Sequence, residues 1–355
     1  WYASVTNTSI NMTMDPCSAD GQEDFSSNGS GLDNDGDGNE DGLDSDCVAP
    51  TPTPGDFNFD GKADILWRNT ATGQNWLYTM NGATIDGSVE VNSVSNQDWV
   101  IVGNGDYDGN GTADILWRNG VTGQNWMYLM DGGTISTSTA VNTVSNTDWQ
   151  VVGSGDYNGD GNSDILWRNS VTGQNWMYLM TGASIDTSTF VNKVGDTNWK
   201  IVASGDFDAD GNDDILMRHD LTGQNWMYLM NGATVSTSSS VNTVSNPNTH
   251  VAGVGDYDAD GDADIIWHND VSGRIWVYFM SGATISSFTD IATVANTDWE
   301  VAGDGDYDGD GNADIILRNG TTGQNWMYVM SGATISSSVP INTVSNTQWE
   351  IVHNH

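Results

Sequence analysis

An acidic motif that recurs six times has the residue types and the spacing of a cation-binding loop. The copy at residues 305–315 reads GDYDGDGNADI, and equivalent copies begin fifty residues apart along the chain. Counted from the first Asp, oxygen donors fall at loop positions 1, 3, 5, 7 and 9. Asx-turns without any metal are the alternative interpretation, because Asp and Asn side chains close such turns themselves. Six repetitions favour the metal, and all-oxygen ligation on a flexible loop favours Ca²⁺ over Mg²⁺.

Each copy is predicted to supply four side-chain ligands, from positions 1, 3, 5 and 9, and one backbone carbonyl, from position 7. The predicted side-chain ligands are Asp56, Asn58, Asp60 and Asp64; Asp106, Asp108, Asn110 and Asp114; Asp156, Asn158, Asp160 and Asp164; Asp206, Asp208, Asp210 and Asp214; Asp256, Asp258, Asp260 and Asp264; Asp306, Asp308, Asp310 and Asp314. The predicted carbonyl donors are Lys62, Thr112, Asn162, Asn212, Asp262 and Asn312. Six Ca²⁺ sites are therefore expected.

A seventh acidic run lies near the start of the chain, between its two cysteines. Its register matches an EF-hand loop, with Gly38 at the sharp turn, but no helical pattern flanks it and its last ligand is a short Asp. The predicted ligands are Asp33, Asp35, Asp37, Asn39, Asp41 and Asp44. A single cysteine pair in a chain that expects calcium predicts a disulfide between Cys17 and Cys47 in an oxidising, extracellular setting, with thiol metal ligation as the alternative.

The charge of the chain limits its partners. Its 355 residues include 9 Lys and Arg against 48 Asp and Glu, which gives a formal net charge of −39. Such a chain repels nucleic acid and anionic membrane surfaces. Its 16 Trp argue against disorder, and no apolar run approaches the ~20 residues of a membrane-spanning helix. Bound cations are the expected means of neutralising the charge.

The repeat also predicts the elements that position the loops. In the second copy, residues 114–118, 124–130, 136–144 and 149–153 have the composition of strands, and Gly-containing turns separate them. Four short strands per repeat are typical of a propeller blade or a β-solenoid coil. The second strand is apolar on both faces, so we expect it to be covered by neighbouring blades on both sides.

Ring closure decides between these two architectures. A Trp-x-Ile/Val-Val strand should precede every loop, but the first loop follows only a Thr/Pro-rich spacer at residues 48–54. The missing strand reappears at residues 349–352, where a closed ring needs it and an open solenoid does not. We therefore predict an all-β, six-bladed β-propeller over residues 55–355, closed by its C-terminal strand. A small disulfide-linked, calcium-binding arm, residues 1–47, precedes it.

The loop with its following Trp-Arg-Asn resembles the FG-GAP/VCBS repeat family, which includes the propellers of integrin α-subunits. The resemblance covers residues 55–355 and recurs six times. It implies a propeller with calcium loops, and it leaves function open among adhesins, lectins, structural proteins and accessory domains of enzymes. The acidic run between the cysteines resembles thrombospondin type 3 repeats, which implies a secreted protein.

Three rows of Trp and one row of Arg also repeat. Aromatic rows could stack against sugars, but a core between blades is the favoured interpretation. The Arg side chains are expected to pair with carboxylates or to cap carbonyls inside each blade. The Trp rows are Trp67, Trp117, Trp167 and Trp267; Trp76, Trp126, Trp176, Trp226, Trp276 and Trp326; and Trp99, Trp149, Trp199, Trp299 and Trp349. The Arg row is Arg68, Arg118, Arg168, Arg218 and Arg318.

The fifth copy departs most from the pattern. His268 replaces Arg, Arg274 and Ile275 replace Gln-Asn, and residues 248–250 read Asn-Thr-His where Thr-Asp-Trp is usual. Residues 219–220 also break the pattern. A cluster of His, Asp and Arg could support acid–base chemistry. Drift between repeats is the favoured explanation.

These observations predict a non-enzymatic, extracellular, calcium-binding protein with a structural or adhesive role. Residues 1–14 are uncharged and rich in strand formers, so the sharper hypothesis is a filament in which this arm pairs with an exposed strand of a neighbouring copy. A propeller lectin that binds glycans between blades is the alternative, and a glycoside hydrolase or lyase is less favoured. Expected partners are further copies, or extracellular glycans and proteins. Possible glycosylation sites are Asn7, Asn11, Asn28 and Asn319.

Overall fold

Twenty-four β-strands account for the regular structure of residues 53–352, the part of the chain that this computed structural model describes. The strands are β1 (Ile65–Asn69), β2 (Gln74–Asn81), β3 (Thr84–Ser93), β4 (Trp99–Gly105), β5 (Asp114–Asn119), β6 (Gln124–Asp131), β7 (Thr134–Thr143), β8 (Trp149–Gly155), β9 (Asp164–Asn169), β10 (Gln174–Thr181), β11 (Ser184–Lys193), β12 (Trp199–Gly205), β13 (Asp214–His219), β14 (Gln224–Asn231), β15 (Thr234–Thr243), β16 (Thr249–Gly255), β17 (Asp264–Asn269), β18 (Arg274–Ser281), β19 (Thr284–Thr293), β20 (Trp299–Gly305), β21 (Asp314–Asn319), β22 (Gln324–Ser331), β23 (Thr334–Thr343) and β24 (Trp349–Ile351). Within these described residues, no helix has the length and hydrophobicity needed to cross a membrane.

The strands form six four-stranded sheets, each of which is one blade of a six-bladed β-propeller. Five blades use four consecutive strands, as in the order β4-β5-β6-β7. The remaining blade has the order β24-β1-β2-β3 and so joins the two ends of the described chain. Its closing register pairs Trp67 with Ile351 and Arg68 with Glu350 in an antiparallel ladder. The predicted fold class and its closure by the C-terminal strand are confirmed.

The four strands of each blade are arranged side by side from the centre of the ring to its rim, as in the order β4-β5-β6-β7. The innermost strands β4, β8, β12, β16 and β20 each contact the next, and the first four of them line a central cavity of about 570 Å³. Aliphatic side chains such as Ile101, Val151, Ile201 and Val251 line this cavity. The last strands, including β7, expose most of their Ser- and Thr-rich residues to solvent and leave one edge unpaired.

The strand that follows each acidic loop, second from the centre of the ring, is the one buried on both faces. In the second blade this strand is β5, and all of its residues are buried. From the sequence pattern, this burial was expected of the next strand, β6 in the second blade, and that expectation was wrong. Residues of β6 alternate between buried and partly or fully exposed positions. Blades of a propeller diverge with distance from the axis, so a strand farther out is covered less completely by its neighbours.

The hydrophobic core lies between blades. Leu66 and Leu77 of one blade pack with Ile115 and Trp117 of the next, and Phe57 from the acidic loop joins the same cluster. Five equivalent clusters complete the ring. Burial of each large apolar side chain stabilises the fold by about 1.5–3 kcal/mol. The aromatic residue at loop position 2 therefore fixes each acidic loop to the interface between two blades.

Several predictions concern residues outside those that the structure describes. These are the N-terminal arm, the seventh cation site from Asp33 to Asp44, the pairing of Cys17 with Cys47, and the sequons at Asn7, Asn11 and Asn28. They remain predictions. The described residues belong to one unit of the chain, Pro52–His355.

Candidate metal-binding loops and the histidine cluster of the fifth blade

Five of the six acidic loops are tight connections between the innermost strand of a blade and the strand beside it. The first loop instead precedes β1, and its blade receives the innermost strand, β24, from the other end of the described chain. In the second blade the loop joins β4 to β5, which are hydrogen-bonded neighbours. The sequence repeat therefore begins inside a blade, and one sheet holds both ends of each of these five loops. Gly at position 6 has a positive φ in all six loops, between 78° at Gly61 and 94° at Gly261, which lets the backbone reverse within the loop.

The position-1 aspartate organises the loop around its own carboxylate. In the third loop, the N–H of Gly159 donates to Oδ1 of Asp156 (2.7 Å), and the N–H of Gly161 donates to Oδ2 (2.8 Å). The bond from the position-6 N–H is present in all six loops. Asp at position 1 therefore fixes the turn that brings the later ligands back towards it.

The position-9 aspartate is the buried anchor of the site. Asp114 is completely buried; its Oδ2 accepts from the N–H of Tyr107 (2.9 Å) and its Oδ1 from the N–H of Met130 (2.7 Å). Burial raises the pKa of Asp114 to about 8, and these two N–H groups only partly oppose that shift. Burial likewise raises the pKa to about 7 or 8 at the equivalent residues, Asp64, Asp164, Asp214, Asp264 and Asp314.

Four of the six loops bring three carboxylates together. Candidate ligand atoms within each group lie within 4.8 Å of one another. The groups are Asp106, Asp108 and Asp114; Asp206, Asp208 and Asp210; Asp256, Asp258 and Asp260; and Asp306, Asp308 and Asp314. Oδ1 of Asp108 and Oδ1 of Asp208 are buried without a hydrogen-bond partner. Buried carboxylate oxygens that lack a donor, each beside two further carboxylates, fit a site for a hard divalent cation.

Other predicted ligands are engaged within their own loops. The amide of Asn58 donates to Asp60 (3.1 Å) and that of Asn158 to Asp160 (2.9 Å). In the second loop, the amide oxygen of Asn110 accepts from the N–H of Thr112 (2.7 Å). At position 7, the N–H of Lys62, Asn162, Asn212, Asp262 and Asn312 donates to the position-5 carboxylate. Carboxylates at positions 1 and 3 belong to all four groups, and the third carboxylate comes from position 9 in two loops and from position 5 in the other two.

Backbone hydrogen bonds join the six loops into a closed ring, which the sequence did not reveal. The N–H at position 8 of one loop donates to the carbonyl at position 1 of the preceding loop, as from Ala113 to Asp56 (2.6 Å). The last bond, from Ala63 to Asp306 (2.7 Å), completes the circle. The others run from Ser163 to Asp106, Asp213 to Asp156, Ala263 to Asp206 and Ala313 to Asp256. Each loop is thus held by its neighbours as well as by its own blade.

The Arg row bridges blades, which corrects the expectation that it acts inside each blade. Arg118 of the second blade donates to Asn125 within that blade (2.9 Å) and to the carbonyl of Trp149 in the third (2.9 Å). Its guanidinium also lies over the ring of Trp167, 4.8 Å from the centroid. The capping of carbonyls is confirmed, and the structure gives these Arg side chains no carboxylate partner within hydrogen-bonding distance.

The Trp rows have different environments. The row that includes Trp117 is buried between blades, with its indole nitrogens unpaired, as expected for core. In five of the six members of the row that includes Trp126, the indole N–H donates to a Ser on the outer strand, here Ser138 at 2.9 Å. Phe288 replaces this Ser in the fifth blade. A glycan on Asn319 is incompatible with the fold, because this residue is buried and its side-chain oxygen accepts from two backbone N–H groups.

The fifth blade contains a histidine cluster whose residues stand out in the sequence. The expected alignment placed residues 248–250 one position out of register with the other repeats. Thr249, rather than His250, occupies the usual Trp position, and His250 lies directly opposite His268 on the neighbouring strand. Nδ1 of His250 is 3.1 Å from Oδ1 of Asp270, and Nδ1 of His268 is 3.6 Å from the same oxygen. Burial lowers the pKa of His268, an effect that His250 increases and Asp270 opposes.

The other departures pair separately. In the fourth blade, Nε2 of His219 lies 3.2 Å from Oδ2 of Asp196. Arg274 forms an exposed ion pair with Asp290 across two strands of the fifth blade. The predicted grouping of His, Asp and Arg is therefore divided into three places, of which one contains two histidines.

Comparisons with known proteins agree with this architecture. A family model described as FG-GAP-like repeat matches residues 56–117, 106–167, 156–217, 206–267 and 256–317. No curated protein matched the chain. Among solved structures, a nidogen/laminin complex is similar, with a TM-score of 0.50 and 11% identity, over 82% of this chain and 96% of the other.

Two further solved structures resemble the chain less well. A streptogramin B lyase has a TM-score of 0.48 and 7% identity, over 84% of this chain and 86% of the other. A protein of unknown function from Bacteroides caccae has a TM-score of 0.47 and 10% identity, over 82% of this chain and 97% of the other. Such low identities show likeness of fold alone.

Proposed function

This chain belongs to the FG-GAP-like repeat family, and we propose that it is a non-enzymatic, calcium-stabilised protein of the extracellular space with a structural or adhesive role. The observation that carries the proposal is the closed ring of hydrogen bonds between neighbouring loops. A cation in a loop neutralises carboxylates at the junction of two blades. Its main effect is then on the stability of the ring, which is a structural task.

Calcium is the cation that the loops fit best. Their donors are oxygen atoms throughout, and the carboxylate groups provide several protein ligands on one flexible loop, as Ca²⁺ prefers. Mg²⁺ keeps several of its waters and needs fewer protein ligands. Because ions bind the folded loop and not the unfolded chain, binding adds directly to stability.

Titration calorimetry and thermal unfolding test this proposal together. Protein freed of metal with EDTA and then dialysed is expected to bind six Ca²⁺, or seven if the N-terminal site is occupied. Its melting temperature should rise with added Ca²⁺ and much less with equal Mg²⁺. An unchanged melting temperature between excess EDTA and saturating Ca²⁺ would contradict the proposal.

The adhesive role is proposed to involve self-assembly through the N-terminal arm. The outer strands, such as β3 and β7, are ten residues long and have one unpaired edge. An uncharged segment rich in strand formers, residues 1–14, is suited to add a strand to such an edge in another copy. A contact of this head-to-tail type does not close on itself and so propagates into a filament.

Electron microscopy and sedimentation of the full chain in Ca²⁺ test self-assembly. Val5→Pro with Ile10→Pro should abolish filaments, because Pro cannot donate to a strand ladder. Val5→Thr with Ile10→Val keeps strand propensity and serves as the matched control. Monomers alone in the unmodified protein, or filaments that survive the proline pair, would refute the role of the arm.

A lectin is the second candidate, because one cleft has suitable chemistry. A cavity of about 700 Å³ beside the fifth blade is lined by Asn246, Asn248, Arg274 and Phe288, among others. Phe288 is 62% exposed, and an open aromatic ring with amides nearby is suited to bind a sugar. A glycan array in Ca²⁺ should then show binding that Phe288→Ala abolishes and Phe190→Ala preserves. A blank array would reject this candidate.

A further inference from the structure

Two histidines and a carboxylate meet at one end of the fifth blade. His250 on β16 and His268 on β17 are directly opposite partners in the antiparallel register, so their side chains share one face. Their rings are 5.6 Å apart, centroid to centroid. Asp270 follows β17, and its backbone N–H donates to the carbonyl of Asn248 (2.9 Å), which holds this carboxylate beside the two rings.

The buried histidine lacks a partner for its inner nitrogen. His268 is 3% exposed, and its Nδ1 is buried without a hydrogen bond. The nearest carboxylate oxygen, on Asp270, is 3.6 Å away, beyond hydrogen-bonding distance. A buried imidazole nitrogen normally has a partner, and an ion placed between His268 and Asp270 would supply one.

The spacing suits a tetrahedral transition-metal ion. Zn²⁺ binds His nitrogen and carboxylate oxygen at about 2.0–2.2 Å, which places neighbouring ligand atoms about 3.3 Å apart. The two histidine nitrogens lie 3.1 and 3.6 Å from Oδ1 of Asp270, on either side of that value. One candidate atom from each of the three residues lies within 4.8 Å of the others. The ring of His250 is about half exposed, so little surrounding structure opposes the small rotation that closes the set.

No other blade has these three residues together. Among the residues that the structure describes, this is the one candidate metal group that contains histidine. The positions equivalent to His250 hold Val100, Gln150, Lys200, Glu300 and Glu350. Those equivalent to His268 hold Arg68, Arg118, Arg168, Arg218 and Arg318. Those equivalent to Asp270 hold Thr70, Gly120, Ser170, Asp220 and Gly320.

The cluster is separate from the acidic loops in place and in chemistry. The inner strand β16 begins at the cluster and ends at the fifth acidic loop, seven residues later, which is roughly 20 Å away. Imidazole nitrogens favour Zn²⁺ and its neighbours in the transition series, whereas an all-oxygen loop favours Ca²⁺. His250 also lines the central cavity, so the cluster opens onto a space large enough for a small molecule.

We propose that His250, His268 and Asp270 bind one Zn²⁺-like transition-metal ion at the mouth of the central cavity. Three protein ligands leave a fourth position for water or for a small anionic or nitrogen-donor ligand that enters from the cavity. The site does not depend on the calcium loops or on the proposed adhesive role. It makes one of six similar blades chemically distinct.

Equilibrium dialysis with Zn²⁺, in saturating Ca²⁺ that occupies the acidic loops, tests the proposal on the full chain. His353→Asn and His355→Asn are introduced throughout, so that the terminal histidines do not contribute. One tightly bound Zn²⁺ per chain is expected, and Co²⁺ at the same site should give the visible absorption of a tetrahedral complex.

The repeats themselves provide matched variants. His250→Gln, Asp270→Ser and the pair His268→Arg with Ile275→Asn each install residues that other blades carry at those positions. Each should weaken Zn²⁺ binding by on the order of tenfold or more, since one of three ligands is lost. His219→Asn restores the repeat residue in the fourth blade, removes a different His–Asp pair and should leave binding unchanged.

Two results would overturn the assignment. One is equal Zn²⁺ binding in the unmodified chain and in all three cluster variants, while their melting temperatures in Ca²⁺ stay equal. The other is no Zn²⁺ bound above the level that the His250→Gln variant retains.

Discussion

Each position-9 aspartate accepts two backbone hydrogen bonds and has no cationic side chain beside it. Asp114 illustrates this, because both its oxygens accept an N–H in a fully buried site. A carboxylate can accept from both donors and still ligate a cation, since each oxygen has two lone pairs. The amide of an Asn at this position cannot do both, because its nitrogen is a hydrogen-bond donor and not an acceptor.

Asp114→Asn is therefore expected to lower the stability of the Ca²⁺-loaded protein. One of the two donors, on Tyr107 or Met130, would face an amide nitrogen, which costs about 1–3 kcal/mol in addition to the weakened cation site. Urea unfolding in saturating Ca²⁺ measures the change. Asp148→Asn is the control, since Asp148 is exposed and the equivalent residue one blade later is already Asn198. Equal effects of the two substitutions would contradict the role given to Asp114.

Loop position 4 shows how the backbone limits which residues the loop accepts. Its φ is positive at Gly109, Gly159 and Gly309, and also at Phe59 (63°), Ala209 (53°) and Ala259 (58°). A left-handed conformation strains a residue that has a Cβ, by about 1–2 kcal/mol.

Ala209→Gly should raise the free energy of unfolding by up to about 1 kcal/mol, because relief of this strain exceeds the added entropy of the unfolded chain. Gly159→Ala should lower it by a similar amount. The new Cβ would lie 3.3 Å from the carbonyl oxygen of Gly211, a tight contact with backbone, so crowding adds to the strain of the positive φ. Urea unfolding of both variants in Ca²⁺ checks the pair. A stabilising Gly159→Ala would show that the strain is absent.

At the scale of the strand, the Arg row joins blades by two interactions that can be separated. Arg118 donates to the carbonyl of Trp149 and lies over Trp167 in the same neighbouring blade. Arg168 donates to the carbonyl of Trp199, but Met217 occupies the position where a Trp ring would lie. The second interaction is thus present at one junction and missing at the next.

Arg118→Met is expected to destabilise the protein more than Arg168→Met. Both substitutions remove the guanidinium and its donation to carbonyls, so the difference reports the cation–π contact, worth about 0.5–2 kcal/mol. Urea unfolding of the two variants under identical Ca²⁺ gives that difference directly. Equal losses would mean that the stacked ring adds nothing to the junction.

At the scale of the whole molecule, six buried carboxylates act together when no cation is bound. Burial raises the pKa of the position-9 aspartates to about 7 or 8, above the 3.8 of an exposed Asp. Between those values the folded chain holds more protons than the unfolded chain. Stability is then greatest below the unfolded pKa and is lost as the pH rises through the folded pKa.

The metal-free protein should therefore unfold more easily in urea at pH 8 than at pH 5. Saturating Ca²⁺ should remove or reverse this dependence, because the cation replaces the protons that the carboxylates otherwise hold. Unfolding curves at both pH values, with and without Ca²⁺, provide the test. A metal-free protein that is more stable at pH 8 would show that these carboxylates do not carry the effect.

Sequence periodicity was sufficient to predict the fold, because strand-forming and turn-forming segments follow one another in the same order in each repeat. The displaced strand at residues 349–352 even identified the closure. The distance of each strand from the ring axis could not be predicted, because β5 and β6 are similarly apolar. They differ in burial because the blades diverge with distance from the axis. Strand composition therefore predicts the elements better than their depth.

The candidate sites were predictable to different degrees. The ligand spacing within a loop is local, so the sequence contained it. The bonds between loops and the bridging by Arg118 join residues of different blades, and no local pattern encodes such contacts. His250 and His268 are eighteen positions apart in sequence and become neighbours only through the register of β16 with β17.

The blade that combines β24 with β1 has a consequence for synthesis. Asn69 of β1 pairs with Trp349 of β24, and directly beside this pair Thr70 donates to the carbonyl of Gln348, 278 residues away. As the chain leaves the ribosome, the edge of β1 that later pairs with β24 stays unpaired while the five following blades are synthesised. Contacts of such long range form slowly, and uncovered edges invite mispairing. The first blade to be translated is thus the last to be finished, and the period before its completion is when this protein is most exposed to misassembly.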